Sequence, residues 1–331
     1  MTGARLVKRG RIRFDQQWQR EMKALVIGGN GFIGTALVDQ LIGRGIKVRV
    51  FDRYPSRYKE PVDGVEYMIG DFANQGEVHQ AVSGVNWVFH LAYTTLPETS
   101  NDDPVYDVRS NVIDTIQLLR ECVECEVDKF VFVSSGGTVY GVPQSVPIKE
   151  DHPNDPICSY GITKLTIEKY LALFHHTKKL EYAVARIANP YGERQNPDAK
   201  QGAIGVFLGC IARRQPITVY GDGEVVRDFI YIYDSADALI ACADYVAAPN
   251  APRVFNVGSG QGYSLNQIVE TIRKVVDVEV RVLHTPARNV DVKSNVLDIE
   301  LARKLLKWEP KVDLETGVKK SWEWIKSLSL V

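Results

Sequence analysis

Three things are scarce in this 331-residue sequence: long apolar runs, an excess of charge of one sign, and cysteine. No apolar run approaches the roughly 20 residues of a membrane-spanning helix, so we expect no membrane insertion. Lys and Arg number 40 and Asp and Glu 41, a net charge of −1, which lacks the basic surface that nucleic acid or an anionic membrane attracts. The basic N-terminal stretch has no apolar core after it, so we predict no secretory signal.

The five cysteines are an odd number, which is typical of a reducing cytoplasm rather than of a disulfide framework. Cys122 and Cys125 form a C-x-x-C pair, but there is no second such pair for a zinc site. The pair also comes late in a predicted helix, whereas a redox pair belongs at a helix start. We therefore interpret both as small residues on one helix, and we expect no metal site and a cytoplasmic location.

Alternating strand-like and helical stretches begin at Met22, and the 45% of hydrophobic residues suffice for a large core. The strand-like runs are near-continuously apolar, which is typical of strands buried on both faces. Strands alternating with helices predict an α/β fold with a doubly wound parallel sheet. The strand-like runs are KALVIG, KVRVFD, VEYMIGD, NWVFHLA, KFVFVSS and YAVARIANP, and the helices between them span 32–42, 75–82, 105–125 and 160–175.

A glycine-rich segment, GGNGFIG, lies between the first predicted strand and the first predicted helix. Gly28, Gly31 and Gly34 would allow a tight turn and bring the backbone close to a pyrophosphate at the helix N-terminus, as in Rossmann-type dinucleotide sites. Asp52 ends the next strand 24 positions after Gly28, near the offset of about 20 for an acid that binds adenosine ribose hydroxyls. A carboxylate there would repel a 2′-phosphate, so we predict NAD; Arg53 is the feature that favours NADP instead.

The domain organisation follows from where this pattern begins and loosens. Residues 1–21 are basic and poorly periodic, which predicts a disordered tail, with an amphipathic helix touching a membrane or a partner as the alternative. We assign 22–188 to the Rossmann-type NAD-binding domain and 189–331 mainly to a smaller α/β substrate lobe, with a segment at about 228–250 returning to the first domain. Helices in the lobe are predicted at 203–213, 235–245, 265–275, 297–306 and 314–327.

The segment SYGITK places Tyr160 and Lys164 four residues apart at a predicted helix start, and hence on one face. A free tyrosine hydroxyl titrates near about 10. A neighbouring ammonium favours the phenolate, so we expect Lys164 to lower the pKa of Tyr160 and make it a usable base, with the positive nicotinamide adding to the effect. The Y-x-x-x-K spacing is common by chance, but its combination with the glycine segment and a strand ending in Ser134 and Ser135 is specific.

These motifs together resemble the extended short-chain dehydrogenase/reductases, in particular the NAD-dependent epimerase/dehydratase group. The resemblance runs from Met22 to about Trp324 and is carried by GGNGFIG, FDR, GDF, VFHLA, SNVIDT, VSSGGTVYG, YGITK, ARIANPYG, ITVYGDGEVVRDFIYIYD, FNVGSG and PARNVDV. It implies that Tyr160 and Lys164 are the catalytic pair and also contact NAD. The remaining NAD-binding residues that we predict are Gly28, Gly31, Phe32, Ile33, Asp52, Arg53, Asp71 and Phe72 (flanking the adenine), Leu91 and Ala92 (lining the groove), and Asn111 (near the strand ends).

The segment SSGGTVYG, after the fifth strand, contains no carboxylate and no histidine. Members of this family that dehydrate sugars carry an Asp-Glu pair just before VYG, and those that decarboxylate sugar acids typically carry a Glu there. Here Gly137 and Thr138 hold these places, so the site is equipped to oxidise and re-reduce, which is all that epimerisation needs. Sugar 4-epimerases often place the helper hydroxyl where this chain has Gly136; we predict Ser135 in that role, with Ser134 and Thr138 as alternatives.

The second lobe supplies residues that the resemblance assigns to a nucleotide sugar. Asn189 would touch the diphosphate, and Arg227 and Arg288 would clamp it through bidentate, charge-assisted bonds. Asp291 would accept a hydrogen bond from a ribose hydroxyl. The strand PITVYGDG, which contains Val219, would stack on and pair with a uracil.

The function implied is NAD-dependent epimerisation at C4 of a UDP-linked sugar through a 4-keto intermediate, which makes the chain an isomerase. The alternative is a net NAD(P)-dependent oxidoreductase acting on a nucleotide sugar. Asn295 takes the place of a gate residue beside the sugar ring, where its small size would admit N-acetylated sugars; glucose/galactose and uronic acids stay open. The helices at 105–125 and 160–175 resemble the pair that forms dimer interfaces in this family, so we expect a homodimer.

Overall fold

A seven-stranded sheet dominates the computed structural model, which describes residues 22–199, 201–287 and 292–328. The strands are β1 (Lys23–Ile27), β2 (Lys47–Asp52), β3 (Glu66–Ile69), β4 (Trp87–His90), β5 (Lys129–Ser135), β6 (Tyr182–Ile187), β7 (Asn189–Tyr191), β8 (Ile217–Tyr220), β9 (Val226–Tyr231), β10 (Val254–Val257), β11 (Gly262–Ser264), β12 (Val282–Thr285) and β13 (Ser294–Asn295). The large sheet has the order β3-β2-β1-β4-β5-β6-β10, and all its neighbouring strands are parallel. This order is that of a Rossmann-type sheet and confirms the predicted fold class.

Helices cover both faces of this sheet, as the apolar runs require. The helices are α1 (Phe32–Gly43), α2 (Gln75–Val82), α3 (Pro104–Asp107), α4 (Asp114–Glu124), α5 (Ser159–Lys178), α6 (Ala203–Ala212), α7 (Ile232–Asp244), α8 (Leu265–Val275), α9 (Glu300–Leu306) and α10 (Leu314–Ser327). Alternate residues of β1 point to opposite faces: Val26 packs in the core under α1 and α7, and Leu25 packs in the core under α2, α4 and α5. None of the helices in the described ranges combines the length and apolar composition that crossing a bilayer requires.

The predicted helix at 105–125 is interrupted by a π-helical segment, Val108–Ile113, between α3 and α4. Asp103 caps its start, since its Oδ1 accepts a hydrogen bond from the N–H of Tyr106 at 2.9 Å, and Pro104 occupies the first helical position. Single-turn π segments inside helices occur frequently at functional sites, and this one carries Asn111.

The C-terminal part of the chain forms smaller sheets beside the large one. Strands β7, β9, β11 and β13 make one of them, and β8 pairs with β12. The chain also returns to the large sheet, because β10 pairs in parallel with β6 and α7 packs against α1. The division into two domains stays a prediction.

The carboxyl ends of the large sheet's strands lie at one edge, and the strand order reverses beside β1. In open α/β sheets, ligands bind outside the carboxyl ends at such a switch point. Gly28, Leu91 and Asn189 directly follow or nearly follow β1, β4 and β6, and Ser135 ends β5. The fold therefore gathers the predicted cofactor, catalytic and substrate residues at a common edge.

Candidate active site

A cavity of about 1020 Å³ opens at this edge of the sheet. The predicted site residues among its lining are Ile33, Leu91, Ser135, Tyr160, Asn189 and Arg227. They include residues that the sequence predicts to bind the cofactor, to act in catalysis and to bind the substrate. The cavity is large enough for a drug-sized or larger ligand, since such sites typically measure about 300–1,000 Å³.

The glycine-rich turn leaves room for a dinucleotide backbone where β1 meets α1. Gly28 has a φ of +81°, and a Cβ there would lie 2.8 Å from the backbone nitrogen of Ala92. A Cβ on Gly34 would overlap the carbonyl oxygen of Gly28, so α1 packs directly on the turn. No side chain in the described part of the chain caps α1 at Gly31, and the first turn holds no acid. Its N–H groups and positive dipole end can therefore bind a pyrophosphate, which fits the predicted cofactor.

Asp52 ends β2 next to this turn. Its Oδ2 accepts a hydrogen bond from the N–H of Asn30 at 2.9 Å, and its Oδ1 accepts one from the N–H of Arg53 at 2.8 Å. Burial raises the pKa of Asp52, and these backbone bonds oppose the rise. The guanidinium of Arg53 pairs with Asp71, with Nη2 and Oδ1 2.9 Å apart. The residue that favoured NADP is thus held by a carboxylate, which would itself repel a 2′-phosphate.

Three further predicted cofactor residues lie just beyond β3 and β4. The ring of Phe72 stacks on the ring of His90, with centroids 5.1 Å apart. Leu91 lines the cavity, and the N–H of Ala92 donates to the carbonyl of Ile27 at 3.1 Å. That bond holds the end of β4 against the glycine turn.

Asn111 acts on the segment after β4 through a set of hydrogen bonds. Its Oδ1 accepts from the N–H of Thr94 at 3.0 Å, and its Nδ2 donates to Oδ1 of Asp107 at 2.9 Å. It is 3% exposed. Asn111 therefore fixes the loop that borders the cavity, and its contact with NAD stays a prediction.

Asp107 is a buried carboxylate that sequence reasoning did not single out. Its Oδ1 also accepts from Oγ1 of Thr95 at 2.5 Å, and its Oδ2 accepts from Oγ of Ser159 at 2.6 Å and from Oγ1 of Thr163 at 3.0 Å. These bonds tie α3 to the start of α5, beside Tyr160. In the sequence, Asp107 lies between Pro104 and Asn111, and no motif in that segment identifies the aspartate as a functional residue.

The catalytic pair lies at the start of α5. Tyr160 lines the cavity, and its N–H donates to Oγ of Ser100 at 3.0 Å. Lys164 is 2% exposed, and its Nζ donates to the carbonyl of Val133 at 2.7 Å. Burial lowers the pKa of Lys164 to about 7. Burial raises the pKa of Tyr160 in the chain without its cofactor, and Cys158 and Asp107 add to the rise, whereas the lowering by Lys164 stays a prediction.

The end of β5 separates the candidate helper hydroxyls. Ser134, Ser135 and Thr138 all line the cavity. The hydroxyl of Ser134 donates to Oε1 of Glu168 at 2.6 Å. The Oγ1 of Thr138 is buried without a hydrogen-bond partner among the described residues. Ser135 stays the prediction for the helper, with Ser134 and Thr138 as its alternatives.

Of the substrate residues predicted in the second lobe, two line the cavity, two lie outside the described residues and two are buried. Asn189 lines the cavity, and its Nδ2 donates to the carbonyl of Asp228 at 2.8 Å. Arg227 also lines the cavity, and its Nη1 donates to the carbonyl of Val292 at 2.6 Å. Arg288 and Asp291 lie outside the described residues.

Val219 and Asn295 are buried and are not among the described residues that line the cavity. The side chain of Val219 is fully buried, whereas its neighbours Thr218 and Tyr220 line the cavity, because successive side chains of a strand alternate in direction. Asn295 is 2% exposed, and its Nδ2 donates to the carbonyl of Gly136 at 3.2 Å. Its Oδ1 is buried without a hydrogen-bond partner among the described residues, and its role as a gate residue beside the sugar stays a prediction.

The sequence profile of the NAD dependent epimerase/dehydratase family matches residues 24–258. The chain belongs to this family. The match runs from the first strand of the large sheet to just beyond the last, and it includes the glycine turn, Asp52 and the catalytic pair. NAD is therefore the cofactor, as predicted.

Three members of the NAD dependent epimerase/dehydratase family resemble the chain over nearly its whole length. UDP-glucose 4-epimerase from Mycolicibacterium smegmatis is 31% identical, over 93% of this chain and 100% of its own. The dTDP-4-dehydro-6-deoxyglucose reductase from Escherichia coli is 33% identical, over 91% of this chain and 96% of its own. The crystal structure of UDP-glucose 4-epimerase with UDP-glucose from Thermotoga maritima is 33% identical and superposes with a TM-score of 0.87, covering 93% of this chain and 100% of its own.

Proposed function

We propose that this protein is an NAD-dependent isomerase that inverts C4 of a UDP-linked sugar, with UDP-glucose and UDP-galactose as the first candidate pair. The cavity carries the proposal, because it brings the phenol of Tyr160 and the hydroxyl of Ser135 together with Leu91 on the cofactor side and Arg227 on the lobe side. Residues 22–188 would bind NAD, and residues 189–331 would mainly bind the sugar nucleotide. The epimerase relatives support the same reaction.

The chain's own residues would carry the proton and hold the substrate. When bound, NAD supplies a nicotinamide ring that accepts a hydride from C4 and returns it. Tyr160 would take the proton of the 4-hydroxyl, and Ser135 would orient that hydroxyl. Arg227 would hold the diphosphate while the 4-keto sugar turns its other face to the ring. Lys164 would hold the nicotinamide ribose and stabilise the phenolate of Tyr160.

The end of β5 supports epimerisation over a reaction with a leaving group. Gly136, Gly137 and Thr138 offer no acid that could protonate a departing hydroxyl or remove a proton from carbon. The site therefore moves one proton and one hydride back and forth. This is the chemistry of an isomerase that regenerates its cofactor in each turnover.

The charges on the described cavity wall favour a neutral sugar. Glu98, on the segment after β4, and Arg227 are the charged residues among the described lining. If Arg227 holds the diphosphate, the described part of the wall offers no further cation for a uronic acid, and Glu98 would repel its carboxylate. We therefore expect UDP-glucose to be a better substrate than UDP-glucuronic acid.

A cytoplasmic homodimer is part of the proposal. Exposed apolar side chains on α3, the π-helical segment and α5 support a helical interface between two copies: Val105 is 68% exposed, Ile113 44%, Ile162 52% and Leu173 48%. Ile162 and Leu173 are 11 residues apart on α5, about three turns, and so share a face. All five cysteines are free thiols, as in a reducing compartment. Light scattering of the purified protein measures the dimer directly.

The decisive experiment is incubation of the purified protein, without added cofactor, with UDP-glucose, UDP-N-acetylglucosamine and UDP-glucuronic acid in turn. Chromatographic separation of the epimers then shows which sugar is converted. We expect interconversion of UDP-glucose and UDP-galactose with no net change in nicotinamide absorbance. Conversion only with added NAD(P)H, consumed mole for mole, would replace the epimerase by the reductase alternative.

A further inference from the structure

Tyr93 contacts both members of the catalytic pair. It follows β4 in the segment HLAYTT and lines the cavity. Its ring meets the ring of Tyr160 in a T-shaped arrangement, with centroids 4.8 Å apart and an interplanar angle of 66°. The Nζ of Lys164 lies 3.8 Å from the centroid of the Tyr93 ring, which is within the range of a cation–π interaction.

The hydroxyl of Tyr93 anchors the ring from its other end. It lies 2.5 Å from Oγ1 of Thr163, which lies 3.0 Å from Oδ2 of Asp107. Burial raises the pKa of Tyr93, so its phenol stays protonated. It can donate to Oγ1 of Thr163, because the other hydrogen-bond partners of that oxygen are acceptors. Thr163 in turn donates to the carboxylate of Asp107. The chain of bonds ends on a buried anion, which fixes the orientation of the ring.

A backbone carbonyl and two further aromatic rings also lie near the ammonium of Lys164. Besides its bond to the carbonyl of Val133, it lies 4.8 Å from the ring of Phe132 and 5.5 Å from the ring of Tyr160. The Tyr93 ring is thus the nearest of the three aromatic faces.

The titratable and charged groups around Lys164 come from three elements. They are His90 and Tyr93 from β4 and the segment after it, Asp107 from α3, and Tyr160 and Glu168 from α5. Burial lowers the pKa of His90 to about 3, so it is neutral. Asp107 and Glu168 favour the ammonium, and burial opposes it.

We propose that Tyr93 is a positioning residue whose ring face holds the Lys164 ammonium against the cavity and whose edge-on contact fixes the ring of Tyr160. The effect on turnover rests on the proposed function, whereas the contact with Lys164 does not. Without the ring face, Lys164 loses one of the attractions that offset its burial. The ammonium then gives up its proton at lower pH, and the phenolate of Tyr160 loses its neighbouring cation.

The test compares Tyr93→Phe, which keeps the ring and loses the hydroxyl, with Tyr93→Leu, which keeps apolar volume and loses the ring face. Protein labelled with ¹³C at lysine Cε is titrated by NMR, with the Lys164 signal assigned from Lys164→Met. We expect Leu to lower the pKa of Lys164 by about 0.4–1.5 pH units and Phe to leave it nearly unchanged. In the epimerase assay, Leu should reduce kcat by about 2- to 30-fold and move the alkaline limb of its pH profile to lower pH.

Tyr58→Leu is the matched control, since the Tyr58 ring packs edge-on against Trp324, outside the catalytic pair. It should change neither the Lys164 titration nor kcat, and circular dichroism confirms that each variant is folded. A folded Leu variant with the wild-type Lys164 titration overturns the proposal, as does an equal fall in the Phe and Leu variants. If the wild-type protein converts no UDP-sugar, the proposed function fails, while the lysine titration still decides the role of Tyr93.

Discussion

Replacing Glu168 by Gln removes the anion from a fully buried ion pair behind the end of β5. The carboxylate of Glu168 lies 2.6 Å from Nη2 of Arg186, and both side chains are 3% exposed. Nε of Arg186 donates to the same carboxylate at 3.1 Å, and Oγ of Ser134 donates to it at 2.6 Å. The substitution leaves the guanidinium of Arg186 buried without its hydrogen-bonded carboxylate, and Glu150 then remains as an acid that interacts with it electrostatically.

The expected cost is about 3–5 kcal/mol of the free energy of unfolding, because a buried charge without its counter-ion keeps its desolvation penalty and loses the attraction that offset it. The remaining contacts of Arg186 are weaker. It donates to Oδ1 of Asn154 at 3.3 Å and to the carbonyl of Glu150 at 3.4 Å, and it lies 4.8 Å from the ring centroid of Tyr140. These contacts involve neutral acceptors and a ring face, so they cannot replace the carboxylate.

Equilibrium urea unfolding of the variant, followed by circular dichroism, measures this cost. Glu181→Gln is the matched control: Glu181 pairs with Arg253 at 3.3 Å and is 42% exposed, so its loss should cost no more than about 1 kcal/mol. Adding Arg186→Met to Glu168→Gln should recover part of the loss, since it removes the unpaired cation. Equal costs for Glu168→Gln and Glu181→Gln would refute the argument from burial.

Three further predictions concern the cofactor turn and the catalytic pair. Tyr160→Phe should lower kcat by at least about 100-fold and leave UDP-sugar affinity in calorimetry unchanged; near-wild-type turnover would remove Tyr160 from its role. Gly28→Ala should prevent dinucleotide binding, because its Cβ would lie 2.8 Å from the nitrogen of Ala92 at a φ of +81°. The purified variant should then release no dinucleotide when it is denatured. The control variant Gly43→Ala, whose Cβ would meet nothing within 4 Å, should still release it. Burial lowers the pKa of Lys164 to about 7 in the folded protein, whereas it is about 10.4 in the unfolded chain. The unfolded chain therefore binds more protons than the folded protein between these two pH values. The free energy of unfolding of dinucleotide-free protein should therefore rise with pH over that interval, by up to about 1.4 kcal/mol per unit, and Lys164→Met should remove this part of the rise.

The sequence predicted the large sheet because burial on both faces leaves a clear signal. Six apolar runs became β1–β6, and the helix bounds differ from the prediction by at most three residues at either end apart from the π-helical segment. The seventh strand, β10, was not predicted. Its four residues, VFNV, are a short apolar run far along the chain, and only pairing with β6 distinguishes them from a strand of the smaller lobe.

The positions of site residues were predictable where a motif determines the backbone conformation. They were less predictable where the role of a residue depends on the direction of its side chain. The glycine turn, Asp52 and Tyr160 lie at the common edge because strand ends and a helix start put them there. Val219 illustrates the other case: a shift of one residue along a strand exchanges the cavity face for the buried face, and the sequence of β8 does not reveal which face is which. Tyr93 was missed for the same reason, since a tyrosine beyond a strand end could point either way.

The directions of the pKa shifts concern the protonation states of Tyr160 and Lys164, which the Y-x-x-x-K spacing alone does not reveal. Burial favours the neutral form of both partners, raising the pKa of Tyr160 and lowering that of Lys164 to about 7. A base needs the opposite: a phenolate beside an ammonium. The ring of Tyr93 and the carboxylates of Asp107 and Glu168 favour the ammonium of Lys164, which is the cation beside the phenol. The oxidised nicotinamide would add a second positive charge, so we expect the sugar to lose its proton more readily once the cofactor is in place. Tight retention of the cofactor then serves proton transfer as much as hydride transfer.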